Sequence, residues 1–293
     1  MKLSDIHIRD PFVLPLASQG QYYLYGTTAP NVWEGPWVDL LCYRSRDLDE
    51  WEGPFTIFQR PEGFWAVKDF WAPEVHLFQG RYYMLASFKG PAGGGRRGTQ
   101  ALVADSPVGP FVPVGNAALT PLDWECLDGT LFVDEAGRPF LVFCHEWVQV
   151  RDGQIHAMPL KDDLSAAAGE PVLLFTASQA PWACAYKGDS YVTDGPFLHR
   201  LSDGSLAMLW SSFGQSGYAI GCARSESGSI LGPWTHEKQA LFGKDGGHGM
   251  VFRTFDGRLV LAIHAPNATP HERPVFLEVL ERDGRLVMAA DLK

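Results

Sequence analysis

Five apolar hairpins with a glycine at the turn recur along the chain, and no other feature restricts its fold as much. The glycines are Gly20 (SQGQYYLYG), Gly80 (FQGRYYMLA), Gly137 (DEAGRPFLV), Gly204 (SDGSLAML) and Gly257 (FDGRLVLA). Tight hairpin turns need positive φ, which glycine adopts without steric cost, so each marks a reversal between two strands. Successive glycines are 60, 57, 67 and 53 residues apart, and five such units fill the 293-residue chain. Units of this length made of short strands read as blades of a propeller. The expected fold is all-β, a five-bladed β-propeller forming a single domain over residues 1–293, each blade a four-stranded antiparallel sheet. Helical periodicity is missing almost throughout.

Blade one is expected to take 12–15, 22–27, 38–43 and 54–58. Blade two opens with KDFWAPEVHLF and continues through 81–88, 100–104 and 111–114, with PAGGGRRG (91–98) as a mobile surface loop. Blade three starts at Asp128 and uses 140–143, 155–160 and 172–175. Blade four takes 196–201, 205–210, 217–223 and 234–241, and blade five runs from His248 through 259–264, 275–280 and 286–289.

Ahead of each turn glycine, by six to ten residues, sits a charged or titratable side chain: Asp10, Glu74, Asp128, Asp194 and His248. Innermost propeller strands all run in one direction, so these residues are expected to ring one mouth of the axial channel. The second strands return to the same face and bring Thr27, Ser87, His145, Glu146, Trp147, Ser211 and His264 with them. Carboxyls crowded in this way repel one another, and some should hold raised pKa values. Such a cluster suits either a glycosidase or a cation site. A calcium site draws its oxygens from a compact loop, commonly of the DxDxDG type, which this chain lacks. Glycoside cleavage needs one carboxylic acid and one carboxylate on either side of the bond, and acids arriving one per blade fit that better.

Composition narrows the partners. The net charge of −10 argues against nucleic acid or an anionic membrane. No apolar run approaches the length of a membrane span, and the N-terminus enters the first strand without a signal-peptide core. Cys42, Cys126, Cys144, Cys184 and Cys222 share no CxxC-like spacing, so free buried thiols and a cytoplasmic address are expected. The ten Trp, nine Tyr and eighteen Phe should mostly pack between blades, leaving a few rings as sugar platforms. Trp71 and Trp147 are the candidates.

The run of motifs IRDPF, YYLYGTT, WAPEVHLFQGRYYMLASF, DGTLFVDEAGRPFLVF and GGHGMVF resembles glycoside hydrolase family 43, the inverting five-bladed propeller enzymes. The resemblance spans nearly the whole chain and implies that Asp10, in the RDP motif, is the general base. It implies that Asp128 orients the acid and tunes its pKa, and that His248 sits in the axial channel near a water or a cation. No dissociable cofactor or metal is implied beyond that. The chain departs from the family at blade four, where the family's acid is a Glu before Gly-Pro and TDGPF places Asp194. The acid is then Asp194 or Glu146 of CHEW, with Glu74 a third candidate that more readily holds substrate hydroxyls. His145 and His264 read as hydrogen-bonded pocket wall, and Arg273 either reaches the channel or pairs with Glu272. The expected activity is exo-acting release of arabinose-, xylose- or galactose-type ends from short oligosaccharides. A sugar-binding propeller without catalysis is the alternative. WD and kelch signatures are missing, and a fructan-cleaving propeller would carry N-D-P where Arg9 precedes Asp10. Glu125-Cys126 does spell that group's E-C acid motif.

Overall fold

A computed structural model describes residues 1–34 and 39–292. It has five sheets of four antiparallel strands, each built from one contiguous stretch of chain. Blade one pairs β1 (Arg9–Leu16), β2 (Gln21–Thr27), β3 (Asp39–Ser45) and β4 (Trp51–Gln59); Val38, expected to open the third strand, lies outside the described residues. Blade two holds β5 (Lys68–Phe78), β6 (Arg81–Lys89), β7 (Arg97–Ala104) and β8 (Val112–Pro113). Blade three holds β9 (Cys126–Val133), β10 (Pro139–His145), β11 (Gln154–Pro159) and β12 (Val172–Thr176), with a one-turn helix α1 (Trp147–Val150) after β10. Blade four holds β13 (Asp194–Arg200), β14 (Leu206–Gly214), β15 (Gly217–Ser225) and β16 (Thr235–His236). Blade five holds β17 (Gly247–Arg253), β18 (Leu259–Ala265), β19 (Arg273–Arg282) and β20 (Arg285–Met288). The outer strand of blade four is far shorter than expected. Beyond Glu237, whose N–H still donates to Cys222 O, the chain leaves the edge of β15 and pairs with it again at an isolated bridge between Ile220 and Phe242.

All five turn glycines have positive φ, from 59° at Gly20 to 92° at Gly257. A second repeat lies at the start of the innermost strands. In each, the pairing with the second strand slips, between Arg9 and Phe12, Lys68 and Trp71, Leu127 and Thr130, Asp194 and Phe197, and Gly247 and Met250. Inside each bulge one residue is left-handed: Asp10 (φ 54°), Asp69 (55°), Asp128 (56°), Gly195 (50°) and His248 (43°). Asp, His and Gly are among the residue types that tolerate this conformation, so the bulge itself selects them. Glycine is further required at 195, where an added Cβ would lie 2.5 Å from the His248 ring.

The bulges are fixed by second-strand side chains of the preceding blade. Thr27 Oγ1 accepts from the Ala72 N–H (2.8 Å), Ser87 Oγ from Asp128 N–H (2.8 Å) and Ser211 Oγ from His248 N–H (2.8 Å). His264 Nδ1 accepts from Asp10 N–H at 3.2 Å and so ties blade five to blade one. The ring is closed by side chains, because blade five borrows no strand from the N-terminal segment. Glu272, fully buried, accepts from Arg9 (2.7 Å) and Thr269 (2.6 Å) and lies 3.3 Å from His7. Arg273, considered for the channel, turns outward and donates to the backbone oxygens of Ser4, Pro270 and Glu272.

Most aromatic rings do pack between blades. Phe58, Phe64, Phe70 and Phe88 form one cluster, with Phe70 and Phe88 edge to face at 4.9 Å. Trp182 and Trp210 (4.7 Å) and Phe175 form another. Each such pair contributes about 0.5–1.5 kcal/mol beyond its buried area. No helix among the described residues is long and apolar enough to cross a membrane. All five cysteines are free, four of them buried.

Candidate active site

The five bulges open into one cavity of about 820 Å³ at the end of the channel where the innermost strands begin. Asp10, Asp128, Asp194, Glu146, His248, Trp71 and Trp147 all line it, although they come from all five blades. Asp10 Oδ2 accepts from the Thr27 hydroxyl at 2.6 Å, and its Oδ1 lies 3.1 Å from His248 Nδ1. Asp128 Oδ2 is 3.6 Å from the same nitrogen and accepts from Gly195 N–H at 3.0 Å. Asp194 Oδ2 accepts from the Tyr218 hydroxyl at 2.8 Å.

Their surroundings pull these carboxyls apart. Burial pushes Asp10 up, but His248, Arg9 and the Thr27 hydroxyl outweigh it and hold the group below the ordinary carboxylate range. Burial and then the charge of Asp10 push Asp128 well above that range, against the Gly195 N–H. Burial and then Asp128 push Asp194 up to about 7. Burial and the nearby Asp194 also raise the Tyr218 phenol, so it stays protonated and donates. Burial drives His264 down to about 3. A neutral His264 fits its contacts, with Nδ1 accepting from Asp10 N–H and Nε2 3.2 Å from Asn267 Oδ1. One carboxyl pushed down and two pushed up therefore share the floor.

Glu146 lies at the junction of β10 and α1, paired with Arg97, which also donates to Asp69 Oδ2 at 2.8 Å. Burial raises its carboxyl and Arg97 pulls it back, with a net upward shift. Residues 91–94 of PAGGGRRG are an exposed surface loop, but the end of the segment departs from that reading: Arg97 starts β7 and is a mostly covered wall residue of the cavity, and Arg96 pairs with Glu125 at 3.3 Å.

Three expected site residues lie elsewhere. Glu74 sits deeper in the channel, accepting from the Thr130 hydroxyl (2.5 Å) with His76 Nε2 3.1 Å away. A second slip in β5, between Trp71 and Glu74, separates it from the bulge. Its place is taken by Asp69. His145 stacks on Trp124 at 4.2 Å and lies 2.8 Å from Gln149 Oε1, behind the wall. Arg273 turns outward onto the backbone oxygens of Ser4, Pro270 and Glu272. Glu125 is no free acid: burial raises its carboxyl, but Arg97 N–H, Lys89 and Arg96 hold it low.

The sequence reading missed Asp69, Arg97, Tyr218, Trp33 and Tyr186. Asp69 had a signal, since Asp10, Asp69 and Asp128 are spaced by 59 residues each and Lys68-Asp69 repeats the basic-acidic step of Arg9-Asp10. Trp33 meets Trp71 edge to face at 5.7 Å, and Tyr186 meets Trp147 likewise at 5.8 Å. Two aromatic pairs thus wall the cavity, one from the blade-one and blade-two side and one from blades three and four.

Comparisons with known proteins agree with this architecture. A search of curated proteins finds no match. Among solved structures, the crystal structure of endo-arabinase from Bacteroides thetaiotaomicron VPI-5482 superposes with a TM-score of 0.89 at 43% identity, covering 97% of this chain and 98% of that one. A thermostable family-43 glycoside hydrolase gives 0.82 at 25% identity, over 97% and 93%. An endo-1,4-beta-xylanase from Bacteroides thetaiotaomicron VPI-5482 gives 0.77 at 23% identity, over 97% and 94%, a likeness of fold. The sequence profile of glycosyl hydrolases family 43 matches residues 5–284. With five four-stranded blades and acids from separate blades meeting in one cavity, this chain belongs to glycosyl hydrolases family 43 and is a glycosidase.

Proposed function

We propose that the enzyme hydrolyses arabinofuranosyl linkages with inversion, releasing single ends from short oligosaccharides, with xylosyl and galactosyl ends as the neighbouring specificities. Asp10 acts as the base: its carboxylate takes a proton from water as the oxygen attacks the anomeric carbon. Asp194 gives its proton to the departing glycosidic oxygen as that C–O bond breaks. The step leaves Asp10 protonated and Asp194 ionised, and exchange with solvent restores both. Asp128 is the positioning residue, fixing the Gly195 backbone beside Asp194, while burial is the main cause that keeps the Asp194 proton on. No dissociable cofactor enters this scheme, and a water or cation beside His248 is compatible with it.

The observation that carries this reading is the divergence of Asp10 and Asp194, one held ionised and the other protonated up to about 7, on one cavity floor. Environments that drive two carboxyls apart assign base and acid. Glu146 is the weaker candidate for the acid because its Oε2 is engaged by Arg97. Among the described residues, Asp194 has the neutral Tyr218 hydroxyl as its one side-chain hydrogen-bond partner, on Oδ2. A cavity of about 820 Å³ falls within the range of sites for small ligands, which supports exo action. The likeness to an endo-arabinase supports a second reading, internal cleavage of arabinan.

The test is a panel of nitrophenyl glycosides (α-L-arabinofuranoside, β-xyloside, β-galactoside, galactofuranoside) with wild type and Asp10→Asn, beside linear arabinan. Arabinofuranoside hydrolysis abolished by Asp10→Asn, with NMR showing the inverted anomer first, is the expected result. Short oligomers from arabinan with little aryl-glycoside turnover would favour the endo reading. Retention of configuration would remove the mechanism.

A further inference from the structure

Asp69, Arg97 and Glu146 form a buried ion-pair network across blades two and three, and nothing in the scheme above uses it. Arg97 Nη2 donates to Asp69 Oδ2 at 2.8 Å, Nη1 donates to Glu146 Oε2, and the guanidinium lies 4.4 Å over the Trp71 ring. The three charged side chains are each about a tenth exposed or less, and all four residues line the cavity. A network of this kind is poor value for stability, because desolvating three charges costs as much as their attraction returns. This one is worse than most. Arg97 Nε is buried without an acceptor among the described residues, and such orphans call for an explanation other than folding.

The free valences indicate what the network does. Among the described residues the Arg97 guanidinium donates to Oδ2 of Asp69 and Oε2 of Glu146 and not to the other oxygen of either carboxylate. Asp69 Oδ1 and Glu146 Oε1 remain as acceptors on a cavity wall, held by the guanidinium between them, with an indole beside them. Two fixed carboxylate acceptors next to an apolar ring match a sugar that offers two hydroxyls on one edge and C–H bonds on its face.

We propose that Asp69 and Glu146 are specificity-determining residues that each accept a hydrogen bond from a different hydroxyl of the glycone, with Arg97 as the positioning residue that sets their separation and Trp71 as the platform. This rests on the glycosidase reading above and gives Glu146 a binding role in place of an acid one. The substrate class follows: unsubstituted glycones with both hydroxyls free, since an acylated or deoxygenated sugar would leave a buried carboxylate unpaired.

The test crosses enzyme variants with substrate variants. On the nitrophenyl glycoside that the wild type hydrolyses, kcat and KM are measured for wild type, Asp69→Asn, Glu146→Gln and Arg97→Lys. The measurements are repeated on the analogues lacking one glycone hydroxyl at a time. Removing a hydroxyl held by a carboxylate should lower wild-type kcat/KM roughly 10- to 100-fold. On the matching deoxy analogue Asp69→Asn, or Glu146→Gln, should then lose at most a further threefold, because the bond is already gone. Arg97→Lys should raise KM on the full substrate and weaken discrimination at both hydroxyls. Should Arg97→Lys fail to fold, the two carboxylate variants complete the cycle alone. Equal losses on full and deoxy substrates would show a network that merely supports the wall. A Glu146→Gln loss confined to kcat and largest on poor leaving groups would make Glu146 the acid and overturn the proposal. Asp10→Asn separates the two readings, since it abolishes turnover of every analogue if the base assignment stands and leaves the hydroxyl cycle interpretable if it does not.

Discussion

The backbone N–H of Gly195 donates to Asp128 Oδ2 across 3.0 Å, so the residue after Asp194 is held by the carboxylate of the preceding blade. The same glycine has φ 50° and its α-carbon faces His248, whose Nδ1 lies 3.1 Å from Asp10. One backbone position thus joins all three carboxyls of the floor. Gly195→Ala would place a Cβ 2.5 Å from the His248 ring in a left-handed conformation, and the ring must move. The expected cost is about 1–3 kcal/mol in denaturant unfolding, with kcat lowered at least tenfold as His248 shifts against Asp10. Wild-type kcat in a folded Ala variant would show that His248 does not set Asp10.

The pH profile of kcat/KM should be a bell with limbs set by two different carboxyls. Asp10 must be ionised and is held below its ordinary value, so the acidic limb should fall below about pH 4. Asp194 must be protonated, so activity should decline as pH rises through about 7. The stability sign is opposite to that of an ordinary salt-bridged acid. Between the ordinary value of 3.8 and about 7, Asp194 binds a proton when folded and none when unfolded. Its contribution is therefore fully present below 3.8 and lost as pH rises towards 7. Asp194→Asn removes that loss and should gain on the order of 3 kcal/mol over wild type at pH 8 relative to pH 4. Parallel stability curves for the two proteins across that range would contradict a raised Asp194.

Leaving-group dependence separates the acid from the other carboxyls. With a good leaving group such as dinitrophenolate, protonation contributes little, and Asp194→Asn should retain most of its kcat. With an alkyl or sugar leaving group the loss should reach 10²–10⁴-fold, the usual worth of general acid catalysis. Glu146→Gln should show no such dependence. The reverse pattern would exchange their roles.

The blade count was readable because the turn glycines sit where the backbone itself demands them, and Asp10, Asp128, Asp194 and His248 followed from the direction of the strands. Asp69 was hidden by its neighbour. WAPEV draws attention to Glu74, but the second slip in β5 sends that carboxyl down the channel. Bulges are set by pairing between strands and leave little trace in hydropathy, so a reading that assumes regular alternation misplaces what lies beyond them. Arg97, Tyr186 and Trp33 reach the cavity from loops or strand ends, and Tyr218 from the start of β15. Their directions depend on contacts far along the chain, which composition and period do not encode. The glycine run before Arg97 suggested only mobility, yet it returns the chain so that Gly90 and Arg96 pair and Arg97 starts a strand.

Ring closure gives the last prediction. A propeller whose final blade takes no strand from the N-terminus must hold its ends by side chains, and Glu272 is the hub of that junction. It is fully buried and accepts from Arg9 and Thr269. Arg9 is itself largely buried, and it lies 5.4 Å from the Trp33 ring on the cavity rim. Glu272→Ala leaves the Arg9 guanidinium buried without its partner, which should cost about 3–5 kcal/mol. Glu272→Gln keeps the shape and one acceptor and should cost less. The loss should also appear in KM, because Arg9 would swing towards Asp10 or Trp33 once released. Urea unfolding measures the first effect and steady-state kinetics at a temperature where both variants are folded measures the second. An Ala variant as stable as wild type would mean that packing between Tyr22, Phe252 and Phe255 closes the ring without the ion pair.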